Sequence, residues 1–304
     1  MVTINIDSAR RESILKEYCE SVSDWMESRN GPRDPEAKTL FQYFQENLDE
    51  IIYCCANDLD KRYDKFLEDN SIDCPNDSFT SYMKSLYSNF MSDVNKEGKQ
   101  HAYWLLEQLG INVCPYCNRA YITTIYIKEK NDIKKVRPDF DHFLSEDKFP
   151  LFTLSFYNLI PSCHQCNRLK LTEQFDHNPW MAYSKDQAPR FKIDLSDGDL
   201  FPSDPKVLIE NESKETMHLL FSELYNTAHI DYVKELLFKI EAYSNPEVFQ
   251  SVVDAFQGIA TPAELQRIIW GNYVLRQDND KRPLAKLTSD ILEQWGMLPE
   301  DDFQ

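Results

Sequence analysis

The sequence predicts an α+β protein, mainly α-helical, with one small ββα unit set between helical flanks. Three observations predict it. Apolar residues recur at helical spacing through the first hundred residues and again from about His229 onward. β-Branched and aromatic residues crowd the stretch Tyr121 to Ile127. Two Cys-x-x-Cys units, Cys114/Cys117 and Cys163/Cys166, bracket that change of period.

In the N-terminal part, Ile14, Tyr18, Val22 and Trp25 follow a cap expected at Ser8, and a second helix opens at Asp34-Pro35 and carries Leu40, Tyr43, Phe44, Leu48, Ile51, Ile52 and Cys55. A run through Tyr82, Leu86 and Phe90 leads to a helix ending near Leu109-Gly110, where glycine suits a C-terminal cap. Two strands are then expected, Tyr121 to Ile127 and Lys135 to His142, turning at Lys130-Asn131-Asp132, with a short helix from near Cys163. A polar, proline-punctuated passage runs from Lys170 to about Asp204. Helices return at His229 to Glu241, at Pro246 to Gln257, at the capping box Thr261-Pro262-Ala263-Glu264 and at Leu284 to Trp295. The expected segments are a helical region 1–110, a central module 111–175 and a mainly helical region 176–304.

Composition narrows the class. The chain has 304 residues, 42% of them apolar and 13% aromatic, which is ample for a buried core. Seven glycines and 15 prolines exclude collagen-like and low-complexity chains. No stretch approaches the roughly 18 uninterrupted apolar residues of a membrane span, so no membrane partner is expected. The first residues lack a basic segment followed by an apolar one, so a cytoplasmic location is expected. The net charge of −18 argues against a protein whose whole surface grips nucleic acid. Between Gly98 and Lys170, however, ten Lys/Arg stand against seven Asp/Glu, leaving +3 there and −21 on the flanks.

In a reducing cytosol, paired Cys-x-x-Cys units point to metal ahead of disulfides. Four thiolates complete the tetrahedral shell of Zn²⁺, so Cys114, Cys117, Cys163 and Cys166 read as a structural site with no open position for catalysis. The 45 residues between Cys117 and Cys163 exceed a simple zinc ribbon, so a functional element is expected between the knuckles. A redox role for either pair is set aside because neither sits at the start of a helix after a strand in a thioredoxin-like setting. Cys19, Cys54, Cys55 and Cys74 read as small core residues.

Inside that interval lies Asp139-Phe140-Asp141-His142, followed by Asn158 and by Asn167 directly after Cys166. A carboxylate and an amide oxygen can hold a hard cation such as Mg²⁺ while leaving positions for water and phosphate, and an imidazole beside them can take a proton from an attacking water. In a regular strand Asp141 and His142 point to opposite faces, so a bulge or turn is expected to aim both at one site.

These residues resemble the HNH (ββα-metal) endonucleases, in particular members stapled by two zinc knuckles. The resemblance covers about Val113 to Lys170, in seven or eight ordered positions. It implies His142 as general base, Asp141 and Asn167 as ligands of a catalytic Mg²⁺ or Mn²⁺, and Asn158 as the brace of the loop between strand and helix. The third signature position is Asn167 where many members have histidine. Asp-His-Phe followed by Lys-Phe-Pro, then Tyr-Asn-Leu-Ile-Pro-Ser-Cys and Cys-Asn-Arg-Leu-Lys, resembles the HNH proteins of bacterial anti-phage systems, Septu-type and retron-linked, which act with an ATPase. Arg282-Pro283-Leu284-Ala285-Lys286-Leu287 is similar to a segment of that group. The implied activity is hydrolysis of nucleic-acid phosphodiester bonds, DNA ahead of RNA.

Arg168 and Lys170 read either as phosphate contacts or as solvated cations, and Asp139 either orients the site or pairs with Arg137. Lys128, Lys130, Lys134 and Lys135 read first as decoration of an exposed hairpin, with a nucleic-acid backbone as the alternative contact. His164 is expected to face water, and His177 lies outside the motif. The acidic groups Asp278 to Asp280 and Glu300 to Asp302 read as solvated. The rival reading is a non-catalytic, zinc-stabilised protein-interaction module, which the acidic flanks favour and the Asp141, His142, Asn167 set opposes.

Overall fold

The computed structural model describes residues 1–129, 133–183 and 187–298, so the expected turn at Lys130-Asn131-Asp132 and the acidic end at Glu300 to Asp302 lie outside the described residues. About half of the chain is helical and the sheets are small, an α+β protein. No helix among the described residues is long and apolar enough to cross a membrane. The chain forms two compact units that interleave along the sequence: one holds Ile4–Ile111 and Ile122–Ala182, the other Met1–Thr3, Asn112–Tyr121 and Tyr183–Gln304.

The first unit begins with α1 (Ser8–Met26), α2 (Pro35–Glu46), α3 (Leu48–Ile52), α4 (Leu59–Asn70), α5 (Asp77–Ser92) and α6 (His101–Leu109). The cap of α1 is Asp7, whose carboxylate accepts from Arg10 N at 3.0 Å, one residue before the serine expected to serve. Asp34 caps α2 with Pro35 in the first turn, and Gly110 ends α6 with φ +64°, a left-handed conformation that suits glycine. The single second helix expected from the pattern is broken at Asn47, and α4 is a further helix of the region expected to be helical, though not individually delimited. Tyr18, Phe44, Phe66, Phe79 and Phe90 form the core of this helical part.

The expected hairpin is corrected: its first strand starts at Ile125 and not Tyr121, and its second is divided. β1 (Ile125–Lys128) pairs with β2 (Ile133–Val136), but the second strand stops before Arg137-Pro138. Proline has no N–H to give the ladder and restricts the residue before it, so the chain restarts as β3 (Asp139–His142). β3 pairs with β4 (Leu159–Ser162), a strand not expected, in the register Asp139↔Ser162 to His142↔Leu159. α7 (His164–Lys170) follows and packs on β3.

The loop between β3 and β4 is fastened by the helices. Tyr18 of α1 donates its hydroxyl to Leu154 O at 3.0 Å, and Tyr63 of α4 donates to Lys148 O at 2.7 Å. The helical N-terminal region is thus a scaffold for that loop.

In the second unit, β5 (Arg190–Ile193), inside the polar, proline-punctuated passage, pairs with β6 (Val207–Glu210) just beyond it, and neither strand was expected. α8 (Lys214–His218), α9 (Phe221–Ala228), α10 (Ile230–Tyr243), α11 (Pro246–Ala255), α12 (Pro262–Trp270) and α13 (Ala285–Gln294) follow. The capping box at Thr261 and Glu264 is present on α12. α13 closes the free edge of β5: Asp290 Oδ2 accepts from Phe191 N at 3.0 Å and Gln294 Oε1 accepts from Ile193 N at 2.8 Å.

Candidate active cleft and metal centre

Asp141, His142 and Asn167 line one open cleft of about 310 Å³, together with Tyr87, Ser88, Phe140, Ser145, Glu146, Asp147, Leu171 and Thr172. No bulge was needed to bring them there. The β3–β4 ladder is regular, and His142 is its last residue, so its side chain leaves the sheet at the end where the loop begins.

The His142 ring is largely buried and fixed on three sides. Nε2 lies 3.0 Å from Thr153 O, and because a carbonyl only accepts, the proton sits on Nε2. Nδ1 therefore carries the lone pair, with Glu146 Oε2 at 3.7 Å. Tyr87 of α5 meets the ring edge-on at 4.6 Å between centroids. Burial holds the imidazole below the ordinary histidine value, with Glu146 acting in the opposite direction, so the ring is neutral near pH 7. A neutral imidazole in a fixed tautomer, lone pair toward a cleft, is a proton acceptor.

Asp141 is buried and its neighbour in charge is Lys170, at 3.1 Å from Oδ2 and 3.4 Å from Oδ1. The same ammonium donates to His142 O at 2.7 Å. Lys170 is completely buried, so it grips two consecutive residues of β3 from inside and is neither the phosphate contact nor the solvated cation read beside Arg168; Arg168 is exposed. A carboxylate offers about four lone-pair sites, so Asp141 keeps acceptor capacity beyond this pair.

Asn167 Nδ2 lies 3.3 Å from Asp139 Oδ2, which orients the amide and leaves Oδ1 as its acceptor end. Asp139 also accepts from His164 Nδ1 at 2.9 Å. Asp139 therefore orients Asn167, while Arg137 donates to Pro138 O. His164 is exposed but engaged with Asp139, and His177 Nε2 meets Met181 O at 3.0 Å, outside the cleft lining.

Asn158 has no exposed surface. Its Oδ1 accepts from Leu144 N at 2.7 Å, and its Nδ2 donates to Leu144 O and Phe152 O, each at 3.0 Å. One amide side chain thus ties both arms of the loop that carries Thr153. Sequence reasoning missed Tyr87, Glu146 and Thr153; Glu146 stands four residues after His142, and the other two carry no local signal.

The four paired cysteines come together: the Sγ atoms of Cys114, Cys117, Cys163 and Cys166 all lie within 4.8 Å of one another and could hold a metal ion such as zinc. Among the described residues this is the one cluster of three or more Cys, His, Asp or Glu donors suited to a metal. The first knuckle is a tight turn in which Asn118, at φ +50°, donates N–H to Cys114 O at 2.8 Å. Arg119 N–H points at Cys117 Sγ at 3.4 Å, favourable to a thiolate. Asn118 is locked by the C-terminal segment: its side chain donates to Asn279 O and accepts from Lys286 N, and its carbonyl accepts from Leu284 N at 2.7 Å. In the second knuckle Cys163 is the N-cap of α7, the helix start expected there, and it follows directly on β4, a strand not expected. A partner pair of thiols within metal-ligating distance favours metal over redox chemistry there. Cys19 and Cys54 are buried, whereas Cys55 and Cys74 are exposed, against the core position read for them. No protein-family model, no curated protein and no solved structure matches this chain.

Proposed function

We propose that the chain is a metal-dependent HNH endonuclease that hydrolyses phosphodiester bonds of nucleic acid, DNA ahead of RNA. The observation that carries this reading is the meeting of Asp141, His142 and Asn167 in one cleft, with His142 held in one tautomer by Thr153 O and kept neutral by burial. His142 Nδ1 takes the proton of a water as that water adds to phosphorus, and the bond from phosphorus to the leaving oxygen breaks. Asp141 and the Asn167 amide oxygen would hold Mg²⁺ or Mn²⁺, which supplies charge stabilisation at the phosphate. Tyr87 and Thr153 keep the imidazole in its reactive orientation. The four-cysteine site, loaded with Zn²⁺, fixes the start of α7 and hence Asn167, with no part in the chemistry.

The same reading makes the chain the nuclease subunit of a bacterial anti-phage system, in the cytoplasm, with an ATPase partner. Its charge of −18 supports dependence on a partner, because long-range repulsion slows encounter with a polyanion. The buried pairing of Asp141 with Lys170 favours the rival reading, a zinc-stabilised interaction module, since a neutralised carboxylate attracts a cation less. Cleavage of plasmid DNA and of total RNA, with Mg²⁺ and with Mn²⁺, decides between them. The expected result is cleavage that falls about 10²-fold to 10⁴-fold in His142→Ala with zinc content and thermal unfolding unchanged. Equal activity in that variant would overturn the assignment of the base, and no cleavage of either substrate at any enzyme concentration, with or without a co-purified partner, would favour the interaction module.

A further inference from the structure

β1 and β2 form a two-stranded ribbon in which seven of eight residues are exposed, Tyr126 alone being half-buried. Directly opposed residues of an antiparallel pair share a face. Ile125 with Val136 and Ile127 with Lys134 therefore make one face; Tyr126 with Lys135 and Lys128 with Ile133 make the other. The second face leans on α6 through Tyr126 and Tyr103, whose rings lie 5.1 Å apart. The first face is open: Ile125, Ile127 and Val136 are 43%, 50% and 54% exposed. An isolated hairpin is marginal on its own and rarely keeps so many aliphatic side chains in water without use for them.

The charge says what the open face fits. Among the described residues of the ribbon and its exit, Lys128, Lys134, Lys135 and Arg137 stand against Glu129 alone, in a chain that carries −18. Glu129 pairs with Lys134 at 2.8 Å, both largely in solvent, where such a pair is worth little and yields to a phosphate. The ribbon runs through Arg137-Pro138 straight into β3, the strand that carries Asp141 and His142. A two-stranded ribbon is also of a size that the major groove of a duplex admits, and apolar side chains on its face meet thymine methyl groups there.

We infer that the β1–β2 ribbon is the arm by which this chain grips duplex DNA, its lysines on the phosphates and its aliphatic face toward the groove. The inference rests on the nuclease reading for its purpose, but it is tested by binding alone. The protein to use is the full chain in a His142→Ala background, with a fluorescein-labelled 20-base-pair duplex read by anisotropy across a salt series. Lys128→Glu, Lys134→Glu and Lys135→Glu together should weaken binding at least about tenfold and flatten the dependence of log affinity on log salt by about 3, one unit per lost phosphate contact. The corresponding glutamine variant should fall between the two, and circular dichroism should report an unchanged fold for both. Binding and salt slope equal to those of the parent, or no duplex binding by the parent at low salt, would overturn the inference. So would a ribbon variant that binds the duplex normally but no longer co-purifies with a protein subunit, which would make the ribbon a protein-docking arm. If wild-type chain cleaves nothing yet the ribbon variants lose duplex binding, the arm stands and the nuclease reading fails; if cleavage is robust and unaffected by the ribbon variants, the reverse holds.

Discussion

The two consecutive antiparallel pairs, β1–β2 and β3–β4, have four residues per strand and opposite surroundings. Every residue of β4 is buried and β3 has a buried centre, whereas β2 is exposed throughout. Around β3–β4 the site's polar groups have fixed partners: Asp141 has Lys170, His142 has Thr153, and Asn158 has Leu144 and Phe152. On β1–β2 the charged residues are exposed, with only surface partners: Lys134 meets Glu129 at 2.8 Å and Lys135 donates to Gln100 Oε1 at 3.0 Å. A catalytic constellation needs groups held to within fractions of an ångström, while a surface that tracks a charged backbone needs charge with freedom to adjust. On the proposed reading the buried pair suits the first need and the exposed pair the second.

The comparison can be broken most forcefully through the metal. Purified, reduced protein should contain about one zinc per chain, and Cys163→Ser, at the junction of β4 and α7, should lose the metal and with it the amide-exchange protection of β3 and β4. Ribbon amides, already exposed, should exchange rapidly in both proteins; zinc-free protein with undiminished protection would refute the site. Next in size is Lys170→Met, which leaves Asp141 buried without its cation and should cost about 3–5 kcal/mol in urea unfolding. Adding Asp141→Leu should recover much of that loss, and a cost under about 1 kcal/mol would mean that water reaches the pair. Asn158→Ala strands the backbone groups at Leu144 and Phe152 and should cost about 3 kcal/mol, checked by the same titration.

A smaller effect separates the helical scaffold from the ribbon by pH. His101 is buried against Phe90, its Nδ1 at 3.1 Å from Phe90 O and 3.0 Å from Asp93 O, and burial holds it below the ordinary value of 6.5. A depressed histidine means that the unfolded chain binds the extra proton first, so this contribution is complete above about pH 6.5 and is lost as pH falls below it. His101→Asn keeps a donor at that position and should reduce the fall in melting temperature between pH 7 and pH 5; an identical fall would show that the group is not the cause. Smallest of all, Ile127→Thr or Lys134→Ala on the ribbon should move stability by no more than about 0.5 kcal/mol, and a larger loss would place the ribbon with the buried pair.

Much of this was legible in the chain itself. Asp34-Pro35, Gly110 and Thr261-x-x-Glu264 mark helix ends because capping is a local matter of one side chain and its next turn. The cysteine spacing announced a four-sulfur cluster for the same reason: two ligands per knuckle are fixed locally. Partners across the β3–β4 loop were not legible, since nothing near Tyr87 or Thr153 signals the imidazole between them. Lys170, read as a phosphate contact or a solvated cation, is turned inward onto Asp141 by the helix phase, which a lysine beside an exposed arginine does not signal. The β3–β4 pairing was hidden by Pro161, which argues against a strand except at an edge, and in a two-stranded sheet both strands are edges.

Pro138 has a developmental consequence for the molecule. Because side chains alternate along a strand, adding or removing one residue in a continuous strand exchanges its two faces. The break at Arg137-Pro138 confines such a slip to the ribbon, so insertions, deletions and register changes in β1 and β2 leave Asp141 and His142 facing as they do. Mutation can thus lengthen, shorten or recharge the ribbon while the facing of Asp141 and His142 stays constant, so the exposed pair can change without the buried one.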